Sequence, residues 1–134
     1  MTIEQISFST GSPKWSAIFD FVSKAKGKYG EELAERFLLK QGFEILEKNY
    51  RHKRSEIDLI GLKDNELLVF FEVKFRSSSD FGDPETFVSD TQIKKIKEAA
   101  DDYIHGINWQ KDIRFDIISI DQNDQIEHFE DAFY

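Results

Sequence analysis

The segment Leu67–Phe75 constrains the fold of this chain more than any other part of its sequence. Seven of its nine residues are apolar, and most of those are Val or Phe. Such a run is typical of a strand that is buried on both faces of a sheet. Glu72 and Lys74 interrupt the run, and because they are two residues apart they face the same side. Burying a charge costs several kcal/mol unless it is paired or bound to a metal, so these two residues call for an explanation.

The rest of the chain alternates between helical and extended patterns. Apolar residues at helical spacing predict three helices, each followed by a glycine: Ser16–Lys26 before Gly27, Tyr29–Gln41 before Gly42, and Thr91–Ile104 before Gly106. Strands are predicted at Phe43–Tyr50, Glu56–Ile60, Leu67–Phe75 and Ile113–Ile120, and Ile126–Phe133 is a short final element. The fold class that follows is α/β with a mixed central sheet. We predict an N-terminal arm or extra helix at residues 1–26 and one domain at residues 27–134.

The composition excludes several kinds of site. The chain contains no Cys, which removes disulfides, thiolate zinc sites and cysteine nucleophiles together. No apolar run reaches membrane-spanning length. Met1–Lys14 also lacks the pattern of a signal peptide. We therefore expect a cytoplasmic protein that does not contact a membrane.

The net charge of −8 speaks against a nucleic-acid binder, because polyanions repel acidic surfaces. The acidity is uneven, however, since residues 101–134 hold nine acidic and two basic residues, a net charge of −7. The first hundred residues carry only −1. The charge therefore excludes a strong nonspecific DNA binder but leaves room for a local phosphate site.

Besides Glu72, a second carboxylate, Asp58, lies on the predicted strand that precedes Leu67–Phe75. If the hairpin is symmetric about Asn65, Asp58 and Glu72 face each other with Cβ atoms about 5 Å apart. Two carboxylates this close repel each other, and a divalent cation such as Mg²⁺ or Mn²⁺ would relieve the repulsion. Glu31 shares the inward face of its helix and adds a third acid. The alternative is an ion pair of Lys74 with Glu72 or Asp58 at a sheet edge, without further function.

Several short motifs are specific as a set: Gly27-Lys28-Tyr29-Gly30-Glu31 with Ala34, Gly42-Phe43, Asn49-Tyr50-Arg51, Glu56-Ile57-Asp58-Leu59-Ile60, Phe71-Glu72-Val73-Lys74 with Arg76, Ala99-Ala100 with Tyr103, and Arg114-Phe115-Asp116. Together they resemble the YraN-like family of bacterial proteins, within the PD-(D/E)xK restriction-endonuclease-like superfamily. The resemblance runs from about Gly27 to Phe133, and Ser55 stands where the family usually has Gly.

The resemblance implies a restriction-endonuclease-like core in the order α-β-β-β-α-β, and hydrolysis of phosphodiester bonds in DNA. It implies that Asp58 and Glu72 hold Mg²⁺ or Mn²⁺, with Glu31 acting through a water and the backbone carbonyl of Val73 completing the shell. Lys74 would then orient or activate the attacking water, or stabilise charge in the transition state. A homodimer would allow so small a nuclease to span a duplex.

Five residues near the predicted site are candidates for contact with nucleic acid: Arg51, Lys53, Arg54, Arg76 and Gln92. Gln92 falls where the second helix of the family has a Lys. The alternative for the basic run before Asp58 is a solvated loop. Two further function classes stay open: a nuclease-like module that binds nucleic acid without cutting it, and a protein-interaction domain whose acidic tail docks a basic partner.

Overall fold

A computed structural model describes residues 14–76 and 88–133, with side chains from residue 27 onward. The elements in chain order are α1 (Lys14–Lys40), β1 (Phe43–His52), β2 (Ser55–Lys63), β3 (Leu67–Phe75), α2 (Asp90–Ile107), β4 (Asp112–Ile120) and β5 (Ile126–Phe133). The predicted order α-β-β-β-α-β is confirmed, and the final element is a full strand. None of the described helices combines the length and apolar character that crossing a bilayer requires.

The strands form one mixed sheet in the order β1-β2-β3-β4-β5. Neighbouring strands are antiparallel except β3 and β4, which are parallel along their full length. A parallel pair needs a long connection, and α2 lies in the segment between these two strands. The α/β class with a restriction-endonuclease-like core is therefore confirmed.

Apolar side chains cover both faces of the sheet. On one face, Leu68 and Phe70 of β3 pack in a cluster with Ile96 and Tyr103 of α2. On the other face, Val69 and Phe71 pack with residues of α1. The prediction that Leu67–Phe75 is buried on both sides is confirmed, because each face of β3 meets a different helix.

The predicted helix end at Gly27 is wrong. Helix α1 runs without a break from Lys14 to Lys40, so residues 14–26 belong to the same helix as Glu31. A glycine inside a helix costs about 1 kcal/mol relative to alanine, which a long helix can tolerate. The part of the predicted arm at residues 1–13 lies outside the described residues. Gly42 does follow the end of α1, with a left-handed φ of 94°.

The predicted end of the second helix at Gly106 is also wrong. Helix α2 continues to Ile107, and Asn108 caps it with a left-handed φ of 55°. The backbone amide of Asn108 donates to the carbonyl of His105. Asn adopts the left-handed conformation more readily than most residues, so it can replace glycine as a cap.

The hairpin between β2 and β3 has the register that the sequence predicts. Asp64 and Asn65 both have left-handed φ angles, 55° and 56°, and they form the turn together with Glu66, whose amide donates to the carbonyl of Lys63. The strands pair from Lys63 with Leu67 to Leu59 with Phe71, which centres the hairpin on Asn65. The next two positions are Asp58 and Glu72.

Candidate active site

The candidate site lies where β2 and β3 separate. Their pairing ends at Leu59 and Phe71. Beyond that point β2 continues to pair with β1 as far as Ser55, and β3 continues to pair with β4. The result is a fork in the sheet, and Asp58 and Glu72 are the first residue on each of its arms.

The side chain of Asp58 bridges the two arms. Its Oδ2 accepts a hydrogen bond of 2.7 Å from the backbone amide of Val73. Since backbone pairing between these strands ends at Leu59 and Phe71, the carboxylate supplies a partner for this amide beyond the paired region. Asp58 is partly buried, and the bond fixes its position beside β3.

Glu72 is buried and held by two donors on the α2 side of the sheet. The Nζ of Lys74 lies 3.1 Å from its Oε1. The Nε2 of Gln92, from the first turn of α2, donates to the same oxygen at 2.7 Å. The predicted Glu72–Lys74 pair is therefore present, and it lies inside the fork with Glu72 only 6% exposed.

Burial and mutual repulsion act together on the two carboxyl groups. Burial, followed by the negative charge of Glu72, raises the pKa of Asp58 to about 8, although the amide of Val73 opposes the shift. Burial also raises the pKa of Glu72, and the ammonium group of Lys74 opposes that shift. The fork therefore holds two adjacent acids that do not readily carry two negative charges together.

Glu31 approaches the fork from α1. Burial raises its pKa, a hydrogen bond with the side chain of Asn49 opposes the shift, and the charges of Glu56 and Glu72 add to it. Gly30 explains how the helix comes this close: a Cβ there would lie 2.3 Å from Cε2 of Phe75. The glycine thus allows α1 to pack against the end of β3, one residue before Glu31.

The donor set suits a hard divalent cation. Within residues 14–76 and 88–133, no three His, Cys, Asp or Glu side chains converge in an arrangement that would hold a metal. Mg²⁺, however, is commonly bound by one or two carboxylates, waters and substrate phosphates. Asp58 and Glu72 supply the two carboxylates, and their repulsion is what a cation would relieve. These residues therefore fit Mg²⁺ or Mn²⁺.

A pocket of about 370 Å³ adjoins the fork on the α2 side. It is lined by Arg54, Ser55, Glu56, Ser89, Thr91, Gln92, Lys95 and Ile96. Gln92 lines the pocket and also donates to Glu72, so the pocket and the carboxylate pair are neighbours. Lys95 is a further pocket residue that the sequence patterns did not single out, although its spacing of three from Gln92 places both on one helix face.

The predicted nucleic-acid contacts lie at different distances from the fork. Arg54 and Gln92 line the pocket, whereas Arg51 and Lys53 are exposed around the β1–β2 turn. Arg51 forms an ion pair of 3.4 Å with Glu56. The guanidinium of Arg76 is bonded to Glu127 of β5. The structure thus brings Arg54 and Gln92 together and directs Arg76 toward the edge strand.

Asp116 of the Arg-Phe-Asp motif is a structural residue. It is fully buried, and Arg114 donates to both of its oxygens at 2.8 Å. Burial alone would raise the pKa of Asp116, but hydrogen bonds from His128 and Arg114 outweigh it and lower the pKa. The backbone amide of Asp131 also donates to it, so the network ties β4 to β5.

Among solved structures, that of Pyrococcus furiosus SfsA in complex with Ca²⁺ shows a distant likeness. The sequence identity is 15%, the match covers 81% of this chain and 63% of that one, and the TM-score is 0.31. A likeness this distant supports no conclusion about fold or activity.

Sequence comparison gives a much closer match. The model of the uncharacterised protein family UPF0102 matches residues 30–120. A UPF0102 protein of Flavobacterium psychrophilum is 46% identical over 111 residues, which cover 81% of this chain and 92% of the relative. Relatives from Thermodesulfovibrio yellowstonii and Shewanella sediminis are 45% and 39% identical, over 81% and 84% of this chain and 95% and 94% of their own. The chain belongs to the uncharacterised protein family UPF0102.

Proposed function

We propose that this protein is a metal-dependent nuclease that hydrolyses phosphodiester bonds in DNA, with a preference for particular DNA structures. The observation that carries the proposal is the pair Asp58 and Glu72 at the fork, with Lys74 3.1 Å from Glu72. A buried and a partly buried carboxylate that repel each other beside an ammonium group are costly for stability, and such arrangements are concentrated at functional sites.

Asp58 and Glu72 would hold Mg²⁺ or Mn²⁺, together with the carbonyl of Val73 and with Glu31 through a water. The bound cation would lower the pKa of a water and neutralise charge on the phosphate. Val73 fixes the Asp58 carboxylate through its amide, and Gln92 fixes that of Glu72. The protein thereby orients both ligands before substrate arrives.

Lys74 would orient the attacking water or stabilise the negative charge that develops on the phosphate. Its side chain is 30% exposed and that of Glu72 is 7% exposed. The ammonium group can therefore reach a phosphate at the mouth of the fork while staying paired with the carboxylate.

The pocket beside the fork supports a phosphate-bearing substrate. Arg54 and Lys95 contribute two positive charges to its lining, and Glu56 contributes one negative charge. Arg51 is paired with Glu56 and offsets part of that charge. With a net charge of −8 over the whole chain, attraction to DNA has to be local. This favours selective contact with one DNA structure over general binding, and a homodimer would place two such sites on one substrate.

One observation favours the second candidate, a module that binds nucleic acid without cutting it. Lys74 and Gln92 both bond to Glu72, so partners within the protein can hold this carboxylate in a module that does not cut. A protein-interaction role for the acidic tail has less support. Several acids of that tail are bonded within the protein, including Asp102 to Tyr50 and Asp124 to Tyr29.

The test is cleavage by the purified full chain with millimolar Mg²⁺ or Mn²⁺. The substrates are single-stranded, duplex, flapped and four-way DNA, with RNA for comparison. We expect cleavage of at least one DNA that is lost in Asp58→Asn and in Lys74→Met, and kept in Lys63→Met at the other end of the hairpin. Failure to cut any substrate would contradict the nuclease, and DNA binding that survives Lys74→Met would then favour the non-catalytic module.

A further inference from the structure

Asn49 has an unusual backbone conformation for a residue inside a strand. It lies within β1 (Phe43–His52) and has a left-handed φ of 52°. Asp64, Asn65 and Asn108 share this conformation in a hairpin turn and a helix cap, where it is expected. Asp131 of β5 also has it, beside the register shift between β4 and β5, and its amide donates to Asp116. In mid-strand it is sparsely populated and persists only where the surrounding structure holds it, often at a functional site.

The pairing of β1 with β2 is interrupted at this residue and resumes unchanged. Lys48 pairs with Leu59 and Tyr50 pairs with Ile57, in one continuous register. The pair between these two would be Asn49 with Asp58, and in the described sheet these two residues do not pair. The residue released from pairing is therefore the metal ligand that we propose.

Both strands rotate at the interruption. In a regular strand, residues two apart face the same side. Here Ile57 packs in the cluster on the α2 side, whereas Leu59 packs in the cluster on the α1 side. Similarly, Tyr50 packs on the α2 side, whereas Lys48 forms an ion pair of 2.9 Å with Glu35 of α1. This rotation accompanies the turn of the Asp58 side chain toward β3, where it accepts the amide of Val73.

The side chain of Asn49 acts on a second acid of the site. Its amide is placed to donate to the Glu31 carboxylate, which opposes the effect of burial on the pKa of that group. Asn49 and Glu31 also line a common small pocket of about 120 Å³ between α1 and β1. Asn49 thus touches the site twice, through its backbone opposite Asp58 and through its side chain at Glu31.

We propose that Asn49 is a positioning residue, which sets Asp58 through its left-handed backbone and Glu31 through its amide. This inference rests on the proposed nuclease function, because it assigns a purpose to the alignment of these acids. Asn meets both requirements: glycine can adopt the backbone but has no amide, and most other residues with a polar side chain resist the left-handed region.

The test separates the backbone from the side chain. Asn49→Gly keeps the left-handed backbone accessible and removes the amide. Asn65→Gly is the matched control, because Asn65 has nearly the same φ of 56° but lies in the turn at the far end of the hairpin. Two measurements are made on each variant: chemical unfolding without metal, alone and combined with Glu31→Gln, and the rise of the melting temperature with Mn²⁺ concentration.

We expect Asn49→Gly and Glu31→Gln to be non-additive in metal-free unfolding, because Asn49→Gly removes the donor of the contact and Glu31→Gln replaces its charged acceptor by a weaker, neutral one. We also expect the apparent Mn²⁺ affinity of Asn49→Gly to be about 10-fold weaker, which is typical for loss of a group that orients a ligand. Asn65→Gly should be additive with Glu31→Gln and should bind Mn²⁺ like the natural sequence.

Additive unfolding energies for Asn49→Gly and Glu31→Gln would overturn the inference. Equal Mn²⁺ responses of the two Asn→Gly variants would also overturn it if the natural sequence responds to Mn²⁺. The metal-free measurement decides the role of Asn49 even if the protein cuts no DNA. Failure of the nuclease proposal is thereby distinguishable from failure of this one.

Discussion

Replacing Asp58 by Asn should stabilise the metal-free protein, and the gain should grow as the pH rises. Burial and the charge of Glu72 raise the pKa of Asp58 to about 8 from an ordinary value of 3.8. Because the pKa is higher in the folded state, Asp58 contributes stability below about pH 4, and this contribution is lost as the pH rises toward 8. Asn has the same shape and keeps an oxygen that can accept the amide of Val73, but it carries no charge.

The pKa shift sets the scale of the effect. At pH 7 the pH exceeds the unfolded-state pKa by about three units, and each unit corresponds to about 1.4 kcal/mol, which gives an upper limit of about 4 kcal/mol. Asp58 is partly exposed, and water weakens both the burial cost and the repulsion. We therefore expect Asp58→Asn to gain about 1–3 kcal/mol in the free energy of unfolding at pH 7.

The assay is urea unfolding with a chelator present, at about pH 4.5 and about pH 7.5. These two pH values span most of the range over which the contribution of Asp58 is lost. Asp64→Asn, which alters an exposed acid in the hairpin turn, is the matched control. The gain for Asp58→Asn should be larger at the higher pH, and the control should not reproduce that difference. A gain that is absent, or the same at both pH values, would refute the claim that the two acids repel each other in a buried fork.

Three further predictions concern other parts of the structure. Gly30→Ala should displace the ring of Phe75, because the new Cβ would lie 2.3 Å from it, and this cost should cancel the gain of about 1 kcal/mol that alanine brings to a helix; the full gain in urea unfolding would contradict the close packing. Lys95→Ala should weaken binding to the preferred DNA and reduce the slope of log affinity against log salt by about 1. Lys94→Ala, outside the pocket, should do neither. Equal effects of the two substitutions would exclude the pocket as the DNA-binding site. Asp116→Asn should cost about 3–5 kcal/mol near neutral pH, because a buried ion pair is broken. Since the pKa of Asp116 is lowered in the folded state, its contribution to stability is present above about pH 3.8 and is lost as the pH falls further. Acid unfolding should show this loss. An Asp116→Asn variant as stable as the natural sequence at neutral pH would contradict the structural role of Asp116.

Much of the fold follows from local patterns. The apolar run of β3 predicts a strand covered on both faces, and the turn at Asp64 and Asn65 has residues that favour a tight hairpin. Because a symmetric hairpin fixes cross-strand neighbours, the position of Asp58 beside Glu72 follows from the sequence alone. The metal and the reaction remain predictions.

Other features depend on contacts between distant segments and have no local signal. Gln92 bonds to Glu72, 20 residues before it in the chain, because α2 packs across the fork. Arg76 is held by Glu127 because β5 joins the sheet edge as a full strand. Helix α1 continues through Gly27, where the intrinsic preference of one residue is too weak to end it.

The symmetry of the β2–β3 hairpin also limits how its length can change. Asp58 and Glu72 each lie seven residues from Asn65. One residue inserted in β3 between Leu67 and Glu72 would move Glu72 to the opposite face of the sheet, away from α2. Insertions in the turn itself leave the register of the strands intact, and two residues added to both strands preserve both pairing and facing. Length variation among relatives should therefore be confined to the turn or occur in matched steps of two.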